Sequence, residues 1–395
     1  MEDFKNSVAH LDIDVQTAVS ISNVVGDNFY KFMYITNETG ITALDDATSP
    51  LLITADTYSD VIDTLSIADA DKVALIKKNL ASIFDYAPSA QGYIISASKY
   101  IAFKYYAYWC YLETEYELDD SGSTPVLGFT SKTATLFASI DANKDAAFSG
   151  FIADLAVDAS SSITSAPSSI VDTFMETLGA LTFRLGIFAR GATAEYEWSD
   201  QDLSVGYSPA MYQLGRTLGF TNSTGTPIGN SMDTVSCAFQ DVLPSRSTST
   251  SLLVNASALF INWCQNNKVA YFKTLGNGTG QVSCYGGWSL KSTSLVADWI
   301  VAYTNFMTKV ACAEIIAGMN VYKTGQTYEQ CLLAMTSKMD PFIALGRVYN
   351  YKVTAPSWAE AKGLSNRETI TIPHAWEAWY ADDARKVKIQ GSLNI

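Results

Sequence analysis

Imidazole is scarce in this chain, and that bounds its chemistry first. The only histidines are His10 and His374, both in stretches that read as strands, so a Ser/His/Asp site or a histidine-rich zinc site would have to be built around one of them. No GxSxG or HExxH motif is present. The glycines of LGNGTG (275–280) give GxGxG where a dinucleotide fingerprint needs GxGxxG, and an apolar alternating stretch follows them instead of a helix, which makes a hairpin turn the better reading. Asp141, Asn143 and Asp145 imitate the start of a calcium loop. The sixth position of that loop, however, is Ala146 and the twelfth is Ile152, so both diagnostic places are broken. The acid pairs Asp45-Asp46 and Asp119-Asp120 sit in polar turns where water solvates them. Six cysteines occur without a CxxC pair, and residues 1–20 carry no export signal; buried free thiols are the simplest reading, with an oxidised pair between helices as the alternative. The sequons at Asn37, Asn222, Asn255 and Asn277 follow from a Ser/Thr-rich composition. No catalytic, cofactor or metal site is expected, and the chain reads as a protein that is not an enzyme.

The elements that would position any such residues are those of a large mixed α/β chain. Its 395 residues are 48% hydrophobic, enough for an extensive core divided among domains, while only 17% are charged against the quarter usual for soluble domains. Much of the surface must be uncharged, and 22 Tyr, 18 Phe and 8 Trp suggest that partners cover part of it. The net charge of −14 argues against nucleic acid as the ligand. That charge is unevenly placed: residues 1–200 hold 28 acids against 11 bases, whereas residues 201–395 hold 12 against 15. The split fits an assembly with its acidic part turned to solvent, and equally an acidic domain kept soluble by its charge.

Along the chain, residues 8–21 alternate Leu11, Ile13 and Val15 with Asp12, Asp14 and Gln16, which predicts a strand without a hairpin partner. Residues 29–35 predict a second strand. Asp69 or Asp71 caps a helix with Val73, Ile76, Leu80, Ile83 and Phe84 on one face, Pro88 stops it, and GYIIS (92–96) is a buried strand. Residues 111–168, with the acids Glu113, Glu115, Glu117, Asp119 and Asp120 and a Ser-rich run, read as an inserted or peripheral module in which residues 145–156 form a short helix. A helix is expected over 168–181, loops over 221–251, and a helix over 252–266. The strands 268–274 and 281–285 make a hairpin. The apolar residues 295–317 include Asp298, Lys309 and Glu314 and read as a buried soluble helix. Thr327 and Gln330 form a capping-box pattern opening a helix with Cys331, Leu332 and Met335 inward. Strands are expected over 347–354, 368–372, 376–380 and 385–395.

The last of these carries Arg385, Lys386 and Lys388 with no acid, and Val387 and Ile389 alternate with the bases. A terminal strand can pair within its own domain, or it can add to the sheet edge of a neighbour. The order of features in 251–395 resembles the contractile-tail sheath proteins of myophages: NKVAYF (267–272), the glycine turn, CYGGW (284–288), ADWI (297–300), MDPFIALGRV (339–348) and the close AWEAWYADDARKVKIQGSLNI (375–395). The opening strand and the helix–strand unit at 71–96 are similar to that family's first elements, while 111–250 has no counterpart.

The resemblance implies mixed α/β architecture: a strand arm at 1–22, an acidic outward region at 23–200 with a variable insertion at 111–168, a tube-facing domain at 201–383, and a strand arm at 384–395. It implies stacked hexameric rings joined by strand exchange through Leu11, Ile13, Val15, Val19, Arg385, Lys386, Val387, Lys388, Ile389, Leu393 and Ile395. Contraction would then be rigid-body rotation about those connections, without a cofactor. The partners implied are further copies of the chain, a tail tube protein, and baseplate and tail terminator proteins, with no nucleic acid and no membrane insertion. The location implied is the tail of a virion made in the host cytoplasm. Two other readings stay open: a different tail or baseplate component, and a carbohydrate-binding or depolymerising protein using exposed Tyr and Trp with acid pairs.

Overall fold

The computed structural model describes residues 26–119, 126–143, 149–157, 185–191, 269–274, 282–285, 325–337, 340–344, 348–363 and 376–380, with a few single positions between 210 and 315. The described residues form a mixed α/β fold centred on one eight-stranded sheet. Six strands run parallel: β1 (Phe32–Thr36), β3 (Gly92–Ser96), β4 (Trp109–Leu112), β7 (Gly150–Val157), β8 (Leu185–Gly191) and β9 (Val269–Thr274). Antiparallel strands β2 (Leu51–Ile53) and β10 (Val282–Tyr285) close the two edges, giving the order β10-β9-β8-β7-β4-β1-β3-β2. Two small antiparallel pairs among the described residues lie outside it: β5 (Tyr116–Asp119) with β6 (Val126–Phe129), and β11 (Val348–Val353) with β12 (Trp376–Tyr380).

The central strands are continuous apolar runs because both faces of a parallel sheet are covered. FMYIT of β1 and WCYL of β4 are buried at every position. Side chains alternate across a strand, so Phe32 and Tyr34 share a face with their register partners Trp109 and Tyr111, and Met33 and Ile35 share the other with Cys110 and Leu112. On the first face lies α1 (Ala70–Tyr86). Its cap is Asp69, whose carboxylate accepts from the backbone N–H of Asp71 and Lys72, and its Ile76, Leu80, Ile83 and Phe84 join Phe32, Tyr34, Tyr111 and Ile94 in one core cluster. Phe84 meets the Phe32 ring edge-on at 5.7 Å. The same cluster takes in Tyr328, Cys331, Phe342, Val348 and Ala361 from the C-terminal part of the chain. Right-handed crossovers put α2 (Ser131–Asp141), on the path from β4 to β7, over the opposite face, where its Leu136, Phe137 and Ile140 are buried.

Gly92 is fixed by a close approach. A Cβ there would lie 2.5 and 2.6 Å from two carbons of the Phe32 ring across the β1–β3 ladder.

Several expectations need correcting. Residues 150–157 are neither helical nor peripheral: they form β7, flanked by β4 and β8. Its described positions 150–153 are all buried, with no period-2 alternation, so the pattern alone does not separate the segment from a helix. Glu113, read as part of an outward acidic run, is buried at the end of β4. The helix runs over Gly325–Ser337 (α3), so Thr327 lies buried inside its first turn and not at its N-cap position. Cys331 is buried and outside any disulfide, as expected, and Leu332 packs against the core. Cys110 is likewise a buried thiol, and burial pushes its pKa up to about 12. The strand expected at 8–21, the helix at 168–181, the loops at 221–251, the helix at 295–317 apart from Ile315, the strand at 368–372 and the terminal strand at 385–395 lie outside the described residues.

Candidate functional site

In a doubly wound sheet the ligand crevice opens where successive crossovers leave in opposite directions, beyond the carboxyl ends of the strands. Here the chain goes from β1 to β3 on one side and returns past β1 to β4 on the other, so the switch point lies between the ends of β1 and β4. Those ends lead directly into Asn37 and Glu113.

A buried polar cluster fills the place. Glu113, 2% exposed, accepts hydrogen bonds from the Tyr34 hydroxyl (2.7 Å) on one carboxylate oxygen, and from the Thr36 hydroxyl (2.7 Å) and the Asn37 backbone N–H (3.0 Å) on the other. Lys72, 4% exposed, reaches in from the first turn of α1. Its Nζ lies 3.3 Å from Glu113 Oε1, donates to Asn37 Oδ1 at 3.0 Å, and is paired with Glu115 and, at 3.8 Å, with Glu38. Asn37 in turn donates through Nδ2 to Thr133 Oγ1 at 3.2 Å, and the Thr133 hydroxyl also accepts from the Glu115 backbone N–H. On the outer side Lys132 donates to Glu38 at 2.6 Å. β1, β4, α1 and α2 are thus tied at one point by side chains 35 to 96 residues apart in sequence.

The electrostatics follow from burial. An ion as deep as Lys72 or Glu113 is tolerated only with partners on all sides, and each has them. Burial, followed by the Glu113 carboxylate, pushes the Tyr34 phenol well above its ordinary value, so the hydroxyl stays a donor. The hydrogen bond to Glu38 holds the Lys132 ammonium above its ordinary value. One atom of the cluster is left over: Asn79 Oδ1, buried on α1 beside the Tyr34 hydroxyl that its Nδ2 approaches at 3.4 Å, has no hydrogen-bond partner among the described residues.

Beside the cluster a cleft of ≈ 340 Å³ opens across the ends of β1 and β3 toward α2, lined by Thr36 to Thr39, Asp45, Ser96 to Ser98, Thr135, Leu136 and Ser139. Its carboxylates are engaged: Glu38 holds Lys132, while Asp45 accepts from the Gly40 N–H and from Ser98. Among the described residues no group of three or more His, Cys, Asp or Glu side chains could hold a metal ion, and no helix is long and apolar enough to cross a membrane.

Of the residues singled out from the sequence, Asn37 lies at the heart of this cluster, 1% exposed and bonded at both ends of its amide, so its sequon is no glycosylation surface. The arm residues Leu11, Ile13, Val15, Val19, Arg385, Lys386, Val387, Lys388, Ile389, Leu393 and Ile395 lie outside the described residues, as do His10 and His374. Sequence reasoning missed Lys72, although a signal was there: counting back four from Ile76 along the apolar stripe of α1 lands on it, and a charge in such a stripe needs buried partners.

The fold and cluster define a class: a doubly wound α/β chain whose switch point is occupied by its own side chains. No protein-family model matches the sequence, and no curated protein does. Among solved structures the chain is similar to one in the cryo-EM structure of the anti-feeding prophage (AFP) baseplate, 6-fold symmetrised, with a TM-score of 0.53 and 10% identity over 93% of this chain and 93% of that one. At that identity the similarity is one of fold.

Proposed function

We propose that this chain is a structural component of a contractile, phage-tail-like injection apparatus, and more narrowly its sheath subunit. The observation that carries the wider reading is the likeness of fold, nearly end to end in both chains, to a chain of the AFP baseplate structure. The narrower reading rests on the order of features in 251–395, which resembles sheath proteins and closes in a basic segment of alternating apolar and polar residues. In this reading copies assemble as stacked hexameric rings around a tail tube. The segments 1–22 and 384–395 pair with the sheets of neighbours, and contraction turns subunits as rigid bodies while those pairings hold. The work is mechanical, and no cofactor takes part.

A baseplate role is the second reading, favoured by the assembly in which the matched chain is found. Purified full-length chain separates the two in negative-stain micrographs. A sheath subunit forms long striated tubes by itself, and deletion of residues 385–395 leaves a folded, soluble subunit that forms none. Tubes persisting after the deletion would reject the role given to the tail. No tubes from intact chain, with assembly only in the presence of other tail proteins, would favour the baseplate.

A further inference from the structure

We propose that Lys72 and Asn37 close an intramolecular isopeptide bond, with Glu113 as the proton carrier. The three side chains meet where water is excluded: Asn37 is 1% exposed, Glu113 2% and Lys72 4%. The Lys72 amine nitrogen already touches the Asn37 carbonyl oxygen at 3.0 Å, so a rotation about the end of the lysine side chain brings it over the carbonyl carbon. The Asn37 amide is held in the productive sense, because Nδ2, the nitrogen that must leave, donates to Thr133 on the side away from the amine. Glu113 lies 3.3 Å from the Lys72 nitrogen and accepts from the Asn37 backbone N–H, so one carboxylate spans both reactants. Tyr34 and Tyr111, 5.1 Å apart between ring centroids, form part of the buried surroundings.

The step balances without an oxidant. Glu113 takes one proton from the Lys72 ammonium, and the freed amine attacks Asn37 Cγ, pushing the carbonyl π electrons onto Oδ1. A proton moves from the attacking nitrogen to Nδ2. The oxyanion then re-forms the carbonyl, and the Cγ–Nδ2 bond breaks to release ammonia. Ammonia collects the proton held by Glu113 and departs as ammonium, returning the carboxylate. A charged lysine and a primary amide thus become a secondary amide and an ammonium ion. The product would link the loop after β1 permanently to the start of α1, 35 residues away, enclosing β2 in a covalent loop.

Mass spectrometry of the purified, denatured full-length chain tests this, independently of whether it forms tubes. The expected mass is about 17 Da below that of the sequence, the ammonia lost. Tandem spectra of a protease digest should contain a branched peptide joining the segments of Asn37 and Lys72. Lys72→Arg, which keeps the charge, should return the full mass, and so should Glu113→Gln. A wild-type chain at full mass overturns the proposal, as does a deficit that maps to a cyclised asparagine in a linear peptide. A branched peptide persisting in Glu113→Gln overturns the role of Glu113.

Discussion

Gly92→Ala probes the packing of β1 against β3 at the strand ends away from the switch point, and its cost can be worked from the structure. Gly92 has ordinary backbone geometry, so alanine is free of dihedral strain, and its nearest contacts are all with the Phe32 ring. The new methyl carbon would stand 2.5 and 2.6 Å from two ring carbons and closer still to Cζ, against the 3.5 to 4.0 Å at which carbon atoms are content, so more than about 1 Å must be found. The ring has little freedom, since Phe84 stands against it and the β1–β3 ladder fixes both backbones in register. Overpacking of this kind costs about 1–3 kcal/mol, and the closeness of two ring carbons places the expected loss at about 2–3 kcal/mol. Urea unfolding followed by circular dichroism measures it as a fall in midpoint at unchanged slope. Phe32→Leu supplies the control. By itself it should destabilise through lost packing, but in the double variant the methyl occupies the vacated space, so the pair should be better than the sum by about 1 kcal/mol or more. A loss under about 0.5 kcal/mol for Gly92→Ala, or strict additivity, would refute the reasoning.

Lys72→Met should be less stable than Lys72→Arg by about 3–5 kcal/mol, because neither variant can form the isopeptide link and only Met leaves Glu113 buried without an ion partner; denaturant titration of the two variants checks this. Alkali should act through Tyr34. Its folded pKa is raised, so its contribution is fully present below about pH 10, where the unfolded phenol titrates, and is lost as pH rises toward the folded value, at about 1.4 kcal/mol per pH unit. Stability measured from pH 9 to 11 should therefore fall less steeply in Tyr34→Phe than in wild type, and identical slopes would contradict the assignment.

What the sequence made legible is what local physics decides. The helix 70–86 could be read because its start, stripe and stop are all written nearby: Asp69 as cap, apolar residues at three- and four-residue spacing, and Pro88 just beyond. GYIIS, the antiparallel strands 269–274 and 282–285 and the strands 348–353 and 376–380 carry equally local signals. β7 was misread because its identity depends on register partners in β4 and β8, far away in sequence on either side. The cluster at the switch point was hidden for the same reason. Glu113 looks like the first acid of a solvated run until Tyr34, Thr36 and Lys72 are brought to it by parallel pairing and a crossover.

That cluster also bears on what the molecule does. Doubly wound sheets bind ligands at the switch point because two diverging crossovers leave polar strand ends facing an open crevice. In this chain those strand ends face Glu113, Lys72, Asn37 and Thr133. The Glu113 carboxylate alone takes three hydrogen bonds and an ion pair from within the chain. A ligand entering there would have to displace partners from buried charges, at a cost of several kcal/mol for each ion left bare. The interactions are directed inward, joining α1, α2, β1 and β4 into one rigid piece. Rigidity at the centre is what a subunit needs if it moves as a body while its connections to neighbours flex. The filling of the crevice between β1 and β4 thus fits the mechanical role proposed above, while the cleft beside it across the ends of β1 and β3 stays open.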